Sequence, residues 1–388
     1  MQTFARALVG GANPQPSTII KMKEKTKKSS RSQYYNTLTR VGKIVDKTID
    51  KYLSKDKFGE YKRIIYEPLL KKKQGKQKLR AALTYLSYCT LTGIKPSSKI
   101  NEDLAKLATS TEFEIWSEYM ANWIFDNKAQ VSDPLIRKKT AVATKSFLED
   151  AIRIAGEVGE KYPKIILNTS SNVTKGFVQE FILNFSNDKL LNSSFRKYFK
   201  LYSFDYGNPG IGETFSQSID LAALYANKEK TPEANELRNI FLEYGIYQEV
   251  LNDLGDFATR KMTTDKVASD QFSDIRNGAL TPIIWCMYNK TNNKNKKFMK
   301  DCVGKIKLTE KEKFKLIKIL FKTGTYDFIS KKIKRTGRKL KKRIKNLEFN
   351  NEGSSQLQQL VSILESNKIY HILKENYEES KKRDVTFK

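Results

Sequence analysis

The residues with the clearest chemical potential in this sequence are carboxylates and amides set into otherwise apolar helical patterns. The first group lies in residues 112–128, which read EFEIWSEYMANWIFDNK. Asn122 and Asp126 are four residues apart, so on a helix both side chains lie on one face, about one turn apart. Side-chain oxygens in this arrangement are ligands that Mg²⁺ prefers.

A second group of oxygen-bearing side chains lies in residues 241–257, FLEYGIYQEVLNDLGDF. On a helix, Asn252 and Asp256 share a face and Asp253 is adjacent, which brings three candidate ligands within about one turn. Two facing helices with such groups can hold Mg²⁺ while the metal bridges to a substrate phosphate. The alternative is that these three residues only end a helix.

The composition of the chain excludes several other kinds of chemistry. Its 388 residues include one histidine and three cysteines. A histidine-based zinc site and a Ser/His/Asp triad are therefore disfavoured, and the low cysteine content indicates a reducing compartment. No stretch approaches the ~18 apolar residues of a membrane span. The formal net charge of +29 favours an anionic partner, which could be nucleic acid, an anionic membrane or a phosphorylated small molecule.

The elements that must position these groups are predicted to be helices. In residues 38–52 the apolar side chains recur at steps of three and four, which is typical of one buried helix face. The pattern predicts an all-α fold of ten or more helices. Similar spacing recurs in residues 79–91, 112–125, 139–158, 176–185, 216–226, 234–254, 281–288, 311–321 and 356–364.

The chain is predicted to have a leader and one large domain. Residues 1–34 contain Pro14 and Pro16 and lack apolar periodicity, which indicates a flexible leader with features of a transit peptide. Residues 35–388 are predicted to form a single helical domain. Its Lys-rich segment, residues 331–346, is either a solvated face or a contact for an acidic partner. The expected location of the protein is the cytoplasm, or the mitochondrion if the leader is a transit peptide.

The two groups resemble the aspartate-rich signatures of the farnesyl diphosphate synthase family of trans-isoprenyl diphosphate synthases. Residues 112–128 line up with the first signature without a gap. Residues 245–256, GIYQEVLNDLGD, resemble the second, and residues 273–285, SDIRNGALTPIIW, resemble the segment that follows it. The resemblance extends over roughly residues 35–289.

The resemblance implies a fold, a substrate class and a cofactor. The expected fold is an isoprenoid-synthase-type helical bundle around a central apolar cavity, assembled as a homodimer. The expected substrate is a prenyl diphosphate, held by Mg²⁺, about three ions, with Mn²⁺ as an alternative. Neither a membrane span nor a nucleic-acid partner is favoured.

The departures from the family pattern affect both substrate sites. In the first signature, Asn122 and Trp123 replace two aspartates, so Asp126 is the one carboxylate left. The site for isopentenyl diphosphate retains Gly75, Lys76 and Arg80, but one residue too far apart. Further replacements in that site are Tyr198 and Phe199 for Lys-Thr, and Ala279 for Lys.

These departures lead to three hypotheses on function. The first is a class I terpene synthase, which ionises geranyl, farnesyl or geranylgeranyl diphosphate and releases a cyclised or deprotonated terpene. The second is an isoprenyl diphosphate synthase or prenyltransferase that still elongates, with Lys76, Lys78 and Arg80 binding isopentenyl diphosphate. The third is a non-catalytic binding protein on the same fold.

Each site residue has an expected role under the first hypothesis. The catalytic carboxylates are Asp126, Asp253 and Asp256. The metal ligands are Asn122, Asp126, Asn252, Asp253 and Asp256. The expected diphosphate contacts are Arg137, Lys138, Lys139 and Lys266, which could each also be a solvated cation. The expected cavity residues are Trp123, Phe125, Tyr202, Phe204, Tyr247 and Gln248, although aromatic residues at helical spacing also suit an ordinary core.

Overall fold

The computed structural model describes residues 16–73, 78–125, 131–180, 183–205, 209–258 and 271–386. Within these ranges the chain is helical almost throughout, and β pairing is confined to an isolated antiparallel bridge between Asn184 and Ala279. The predicted all-α fold is therefore confirmed.

The helices are numbered here in chain order. They are α1 (Pro16–Lys55), α2 (Gly59–Lys73), α3 (Leu79–Thr92), α4 (Glu102–Phe125), α5 (Pro134–Gly156), α6 (Tyr162–Glu180), α7 (Asp188–Leu191), α8 (Phe195–Lys200), a π-helical turn (Leu201–Asp205), α9 (Pro209–Tyr225), α10 (Pro232–Asp256), α11 (Ser273–Arg276), α12 (Pro282–Lys290), α13 (Asn293–Asp301), α14 (Glu310–Lys322), α15 (Thr325–Asn346), α16 (Glu352–Val361), α17 (Ile363–Ser366) and α18 (Ile369–Thr386).

Local signals in the sequence explain where the site-bearing helices begin and end. Helix α10 begins after Thr231, whose hydroxyl accepts the backbone N–H of Ala234 at 3.2 Å, with Pro232 in the first turn. Helix α3 ends at Gly93, which adopts a left-handed conformation with φ of 76°. The N–H of Gly93 then bonds the carbonyl of Cys89 at 2.9 Å.

Helix α9 connects the two helices that carry the candidate signatures. It packs against α10 on one side and against α3, α4 and α6 on the others. Its side chains Phe215, Ile219, Leu221 and Ala222 are fully buried. Because α4 and α10 both rest on α9, the positions of the two signatures are fixed through this shared helix.

Two predicted segments have a definite backbone structure. Helix α1 begins at Pro16, so it includes part of the predicted leader, and residues 1–15 lie outside the described residues. The Lys-rich segment 331–346 belongs to α15, a single helix that packs against α10, α12, α14, α16 and α17. No helix in the described part of the chain is long and apolar enough to cross a membrane.

Gly353 allows α16 to approach α3 closely, and its replacement should destabilise the fold. A Cβ atom there would lie 2.7 Å from the hydroxyl oxygen and 2.9 Å from the backbone nitrogen of Thr90. We expect Gly353→Ala to lower the free energy of unfolding by about 1–3 kcal/mol, although alanine normally favours helices. Urea denaturation tests this, with exposed Ser355→Ala as the control. Equal stability of the two variants would contradict the expected clash.

Candidate functional site

The second signature occupies the last turns of α10, and its central carboxylate is buried. Asp253 is 6% exposed and accepts a hydrogen bond from the Tyr202 hydroxyl at 3.1 Å. Tyr202 lies in the π-helical turn between α8 and α9. Burial, together with the charge of Asp253, raises the pKa of Tyr202 well above its ordinary value. The tyrosine therefore stays protonated and donates to the carboxylate.

Asp256 joins α10 to the segment that follows the signature. It is 1% exposed, and its carboxylate accepts bonds from the Ser273 hydroxyl and the Asp274 backbone N–H, both at 3.2 Å. These bonds satisfy donors at the start of the short helix α11. In this structure Asp256 thus has a structural contact, and its role as a metal ligand stays a prediction.

Asn252, the leading residue of the second signature, lies on the solvent side of α10. Its side chain is exposed, and its amide nitrogen is 3.5 Å from the carboxylate of Glu249. Asn252 is therefore accessible to a ligand that approaches from solvent, whereas Asp253 and Asp256 face inward.

The first signature is described only as far as the last turn of α4. Asn122 and Trp123 are half-buried, and Trp123 packs against the core. Asp126 lies outside the described residues. Phe125 was expected to line the cavity, but it is 57% exposed and its ring centroid is 5.4 Å from that of Phe177. Phe125 is the last residue of α4, and its role as a cavity residue stays a prediction.

Helix α4 also carries a buried and a half-buried carboxyl group, Glu114 and Glu118, that the sequence pattern was not used to predict. Glu114 is fully buried, and neither carboxyl oxygen has a hydrogen-bond partner. Glu118, one turn further along, accepts a bond from the Ser170 hydroxyl of α6 at 3.2 Å. With Asn122 they form a line of polar side chains at four-residue spacing. The same spacing that identified Asn122 and Asp126 could have revealed them.

Burial changes the ionisation of these two carboxyl groups. It raises the pKa of Glu118 from 4.5 to about 7. The pKa of Glu114 is also well above its ordinary value, because the group is buried and lies near Glu118. A carboxyl group without donors or water is more stable in its neutral form. The environment on this face of α4, within the first signature, therefore favours the neutral form of both carboxyl groups.

Two cations expected to bind isopentenyl diphosphate have partners inside the protein. Lys78 is 2% exposed, and its ammonium is 2.7 Å from the carboxylate of Asp46. The guanidinium of Arg80 lies 3.9 Å from the centre of the Phe215 ring and donates to the Tyr119 hydroxyl at 3.3 Å. Gly75 and Lys76 lie outside the described residues. A cavity of about 110 Å³ borders Lys78, Arg80 and Tyr119.

The predicted diphosphate contacts are near the first signature but mostly exposed. Arg137, in the first turn of α5, donates to the carbonyl of Ile124 in the last turn of α4 at 3.3 Å. This contact places a cation at the carboxyl end of α4, where the helix dipole favours it. Lys138 is exposed, Lys139 is half-buried, and Lys266 lies outside the described residues.

Two of the predicted cavity residues, Tyr202 and Tyr247, belong to an aromatic cluster next to α15. The ring centroids of Phe199 and Tyr202 are 5.9 Å apart, and those of Phe199 and Tyr247 are 5.8 Å apart. Tyr247 also hydrogen-bonds Thr336 of α15. Gln248 accepts a bond from the Tyr244 hydroxyl at 3.3 Å. The side chain of Phe204 lies outside the described residues.

The oxygen donors of the described residues fit a divalent metal only in part. Within the described ranges, no three acidic, histidine or cysteine side chains are grouped as a metal would require. The second signature offers the exposed amide of Asn252 next to the carboxylate of Asp253. Because neighbouring helix residues point about 100° apart, an ion bound by both would lie between the solvent side and the inner side of α10 and would take its remaining oxygen ligands from water and from a diphosphate.

Comparison with known proteins finds a family whose model matches part of the chain. Residues 137–320, which include the second signature, match the polyprenyl synthetase family model. A search of curated protein sequences finds no significant match. The family-level resemblance is therefore confirmed, and residues 137–320 are the part of the chain that carries the match.

Solved structures with the same fold are prenyl diphosphate synthases of low sequence identity. A decaprenyl diphosphate synthase from Rhodobacter capsulatus has a TM-score of 0.68 at 13% identity, with 88% of this chain and 99% of that chain covered. A heptaprenyl diphosphate synthase from Staphylococcus aureus has a TM-score of 0.63 at 17% identity, with coverage of 86% and 98%. A geranylgeranyl pyrophosphate synthase from Corynebacterium glutamicum, complexed with isoprenyl diphosphate and magnesium, has a TM-score of 0.68 at 14% identity, with coverage of 85% and 99%.

Replacing the buried Glu114 carboxyl group by an apolar side chain should stabilise the protein. We expect Glu114→Leu to raise the free energy of unfolding at neutral pH by about 1–3 kcal/mol, because an unsatisfied buried polar group is removed. Urea denaturation provides the measurement. Glu149→Leu, at an exposed position of α5, should give no such gain. A less stable Glu114→Leu protein would show that the carboxyl group has a stabilising partner.

The raised pKa of Glu118 predicts that stability depends on pH. Between about pH 4.5 and 7 the folded protein binds more protons at Glu118 than the unfolded chain, so stability falls as pH rises. The total loss in the free energy of unfolding is about 3 kcal/mol, and it is complete once the pH exceeds the pKa of Glu118 in the folded protein. Denaturation across this range should show a smaller loss for Glu118→Gln than for the wild type. Parallel curves would contradict the assignment.

Proposed function

We propose that this protein is an enzyme of isoprenoid metabolism that binds an allylic prenyl diphosphate and transfers its prenyl group to a second substrate. The main support is the match of residues 137–320 to the polyprenyl synthetase family, since this range includes Asp253 and its surroundings. The named structural neighbours are prenyl diphosphate synthases, which favours prenyl transfer over terpene release.

Under this proposal the second signature binds the diphosphate end of the substrate. Asn252 and Asp253 hold a divalent ion, with Asp126 as the candidate ligand from α4. The Tyr202 hydroxyl fixes the orientation of the Asp253 carboxylate through the bond at 3.1 Å. A bound Mg²⁺ would stabilise the charge that develops on the departing diphosphate. Arg137 supplies a cation at the end of α4 that adds to this stabilisation.

The second substrate takes up the prenyl group. Isopentenyl diphosphate is the acceptor that the family resemblance implies, and Lys76, Lys78 and Arg80 are its candidate contacts. For Lys78 and Arg80 to bind it, Lys78 must exchange Asp46 for the diphosphate, and Arg80 must turn away from Phe215. Both groups line the cavity of about 110 Å³ beside α3, so they are close to a place where an acceptor could enter.

A terpene synthase is a second candidate, because Lys78 and Arg80 already have partners inside the protein. The Lys78 ammonium is neutralised by Asp46, and Arg80 is directed toward Phe215 and Tyr119. Ala279, at the position of a family lysine, pairs through its backbone with Asn184 and offers no cation. With these groups engaged, the enzyme would ionise one prenyl diphosphate and release a hydrocarbon or an alcohol.

Product analysis with and without isopentenyl diphosphate distinguishes these functions. Purified protein with Mg²⁺ is incubated with geranyl, farnesyl or geranylgeranyl diphosphate. We expect a longer prenyl diphosphate that forms only when isopentenyl diphosphate is added. A hydrocarbon or alcohol formed from one diphosphate alone would instead favour the terpene synthase. No product from any combination would contradict both and favour a non-catalytic binding protein.

A matched pair of variants tests whether the second signature carries the activity. Asp253→Asn should lower turnover about 100-fold, because it removes a charge from the diphosphate site while keeping the side chain's shape. Asp327→Asn, at an exposed position of α15, makes the same chemical change elsewhere and should leave turnover unaffected. Equal activity of the two variants would place the catalytic charge outside the second signature.

A further inference from the structure

The solvent side of α15 carries a row of five cations. Its members follow one another at alternating steps of four and three residues, so they lie along one stripe of the helix. All five are exposed, and the row spans about 21 Å. We call this row the basic stripe; it consists of Lys331, Arg335, Arg338, Lys342 and Lys345.

The other face of α15 and its edges have contacts within the protein. Arg343 forms ion pairs with Glu236 at 2.7 Å and with Glu243 at 2.6 Å. Lys339 is 3.2 Å from Glu243, and Lys332 lies 4.8 Å from the centre of the Phe199 ring. No ion pair joins a member of the basic stripe to a described residue. The basic stripe is therefore the part of α15 that internal contacts do not explain.

The charge of the stripe works against the helix that carries it. Like charges four residues apart destabilise an isolated helix. The chain has no acidic residue between Asp327 and Glu348 that could offset the repulsion locally. The helix is instead held by its buried residues Ile333, Leu340 and Ile344. An external anion along the stripe would relieve the repulsion.

We propose that the basic stripe docks this protein on an anionic phospholipid surface. A straight row of cations on one side of a helix can meet a flat charged surface along its whole length, and each cation strengthens such attraction several-fold. The stripe has no aromatic side chains between its cations on which bases could stack, so single-stranded nucleic acid is less well matched.

The position of α15 connects this surface to the candidate site. Helix α15 packs directly on α10, so the stripe is about one helix diameter, ~10 Å, from the helix that carries Asp253. If the proposed function holds, the substrate or product is an amphiphile with a hydrocarbon tail. Docking at a membrane surface would then place the site where such molecules concentrate. The docking itself does not require that function.

Vesicle flotation tests the proposal on the full chain. Wild-type protein is mixed with vesicles of phosphatidylcholine alone, or of phosphatidylcholine with phosphatidylserine, at low and high salt. We expect binding only to the anionic vesicles, and weaker binding at high salt. The stripe variant K331Q/R335Q/R338Q/K342Q/K345Q should bind at least about tenfold more weakly.

A control variant with the same net charge separates the stripe from the general basicity of the chain. K161Q/K164Q/K175Q/K189Q/K230Q neutralises five exposed lysines on other parts of the surface. It should bind anionic vesicles like the wild type. Equal loss in the two variants, equal binding to neutral vesicles, or absence of vesicle binding would overturn the proposal. Displacement from vesicles by duplex DNA at lower phosphate concentration would assign the stripe to nucleic acid instead.

Circular dichroism and prenyl transfer with soluble substrates complete the comparison. The stripe variant should keep the helical signal and the basal activity of the wild type, because its substitutions do not touch the candidate site. Vesicle binding by a protein without prenyl-transfer activity would support the docking surface and contradict the proposed function. Prenyl-transfer activity without vesicle binding would support the proposed function and contradict the docking surface.

Discussion

The burial of carboxyl groups is the constraint on which this candidate site depends. Asp253, Asp256 and Glu118 are each removed from most water, and each accepts a hydrogen bond from a protein donor. Glu114 is also buried but has no such donor. Charged carboxylates inside a protein need donors or a cation, and otherwise they remain neutral. The interior of α4 therefore favours the neutral form of its carboxyl groups, whereas donors from Tyr202, Ser273 and Asp274 orient the carboxylates at the end of α10.

Because its carboxylates are oriented by hydrogen bonds, the second signature is the better candidate for the metal ligands. Tyr202 orients Asp253, and Asp256 anchors the segment that begins at Ser273. Under the proposed function the first signature would add Asn122 and Asp126, of which Asp126 lies outside the described residues. A divalent ion would thus be held mainly from α10. The family match and the structural neighbours favour the proposed prenyl transfer, whereas the internal contacts of Lys78 and Arg80 favour the terpene synthase of the first hypothesis.

Much of the fold could be predicted from apolar periodicity, because its helices are long and amphipathic. The predicted helix 79–91 is Leu79–Thr92 in the structure, and 234–254 lies within Pro232–Asp256. The short helices α7 and α11 are too brief to show a period. Apolar periodicity also does not predict contacts between residues far apart in the chain, such as the hydrogen bond from Ser273 to Asp256. Glu118 and Glu114 extend the line of Asn122 and Asp126 by two further turns, and the same four-residue spacing predicts that they share its face.

The most direct test of the account is calorimetric titration with a non-reactive farnesyl diphosphate analogue, with and without Mg²⁺. The account predicts binding that requires the metal and that weakens at least about tenfold in Asp253→Asn, because the variant loses the charge that holds the ion. Binding of the same strength without Mg²⁺, or unchanged in Asp253→Asn, would contradict the claim that the end of α10 forms the diphosphate site.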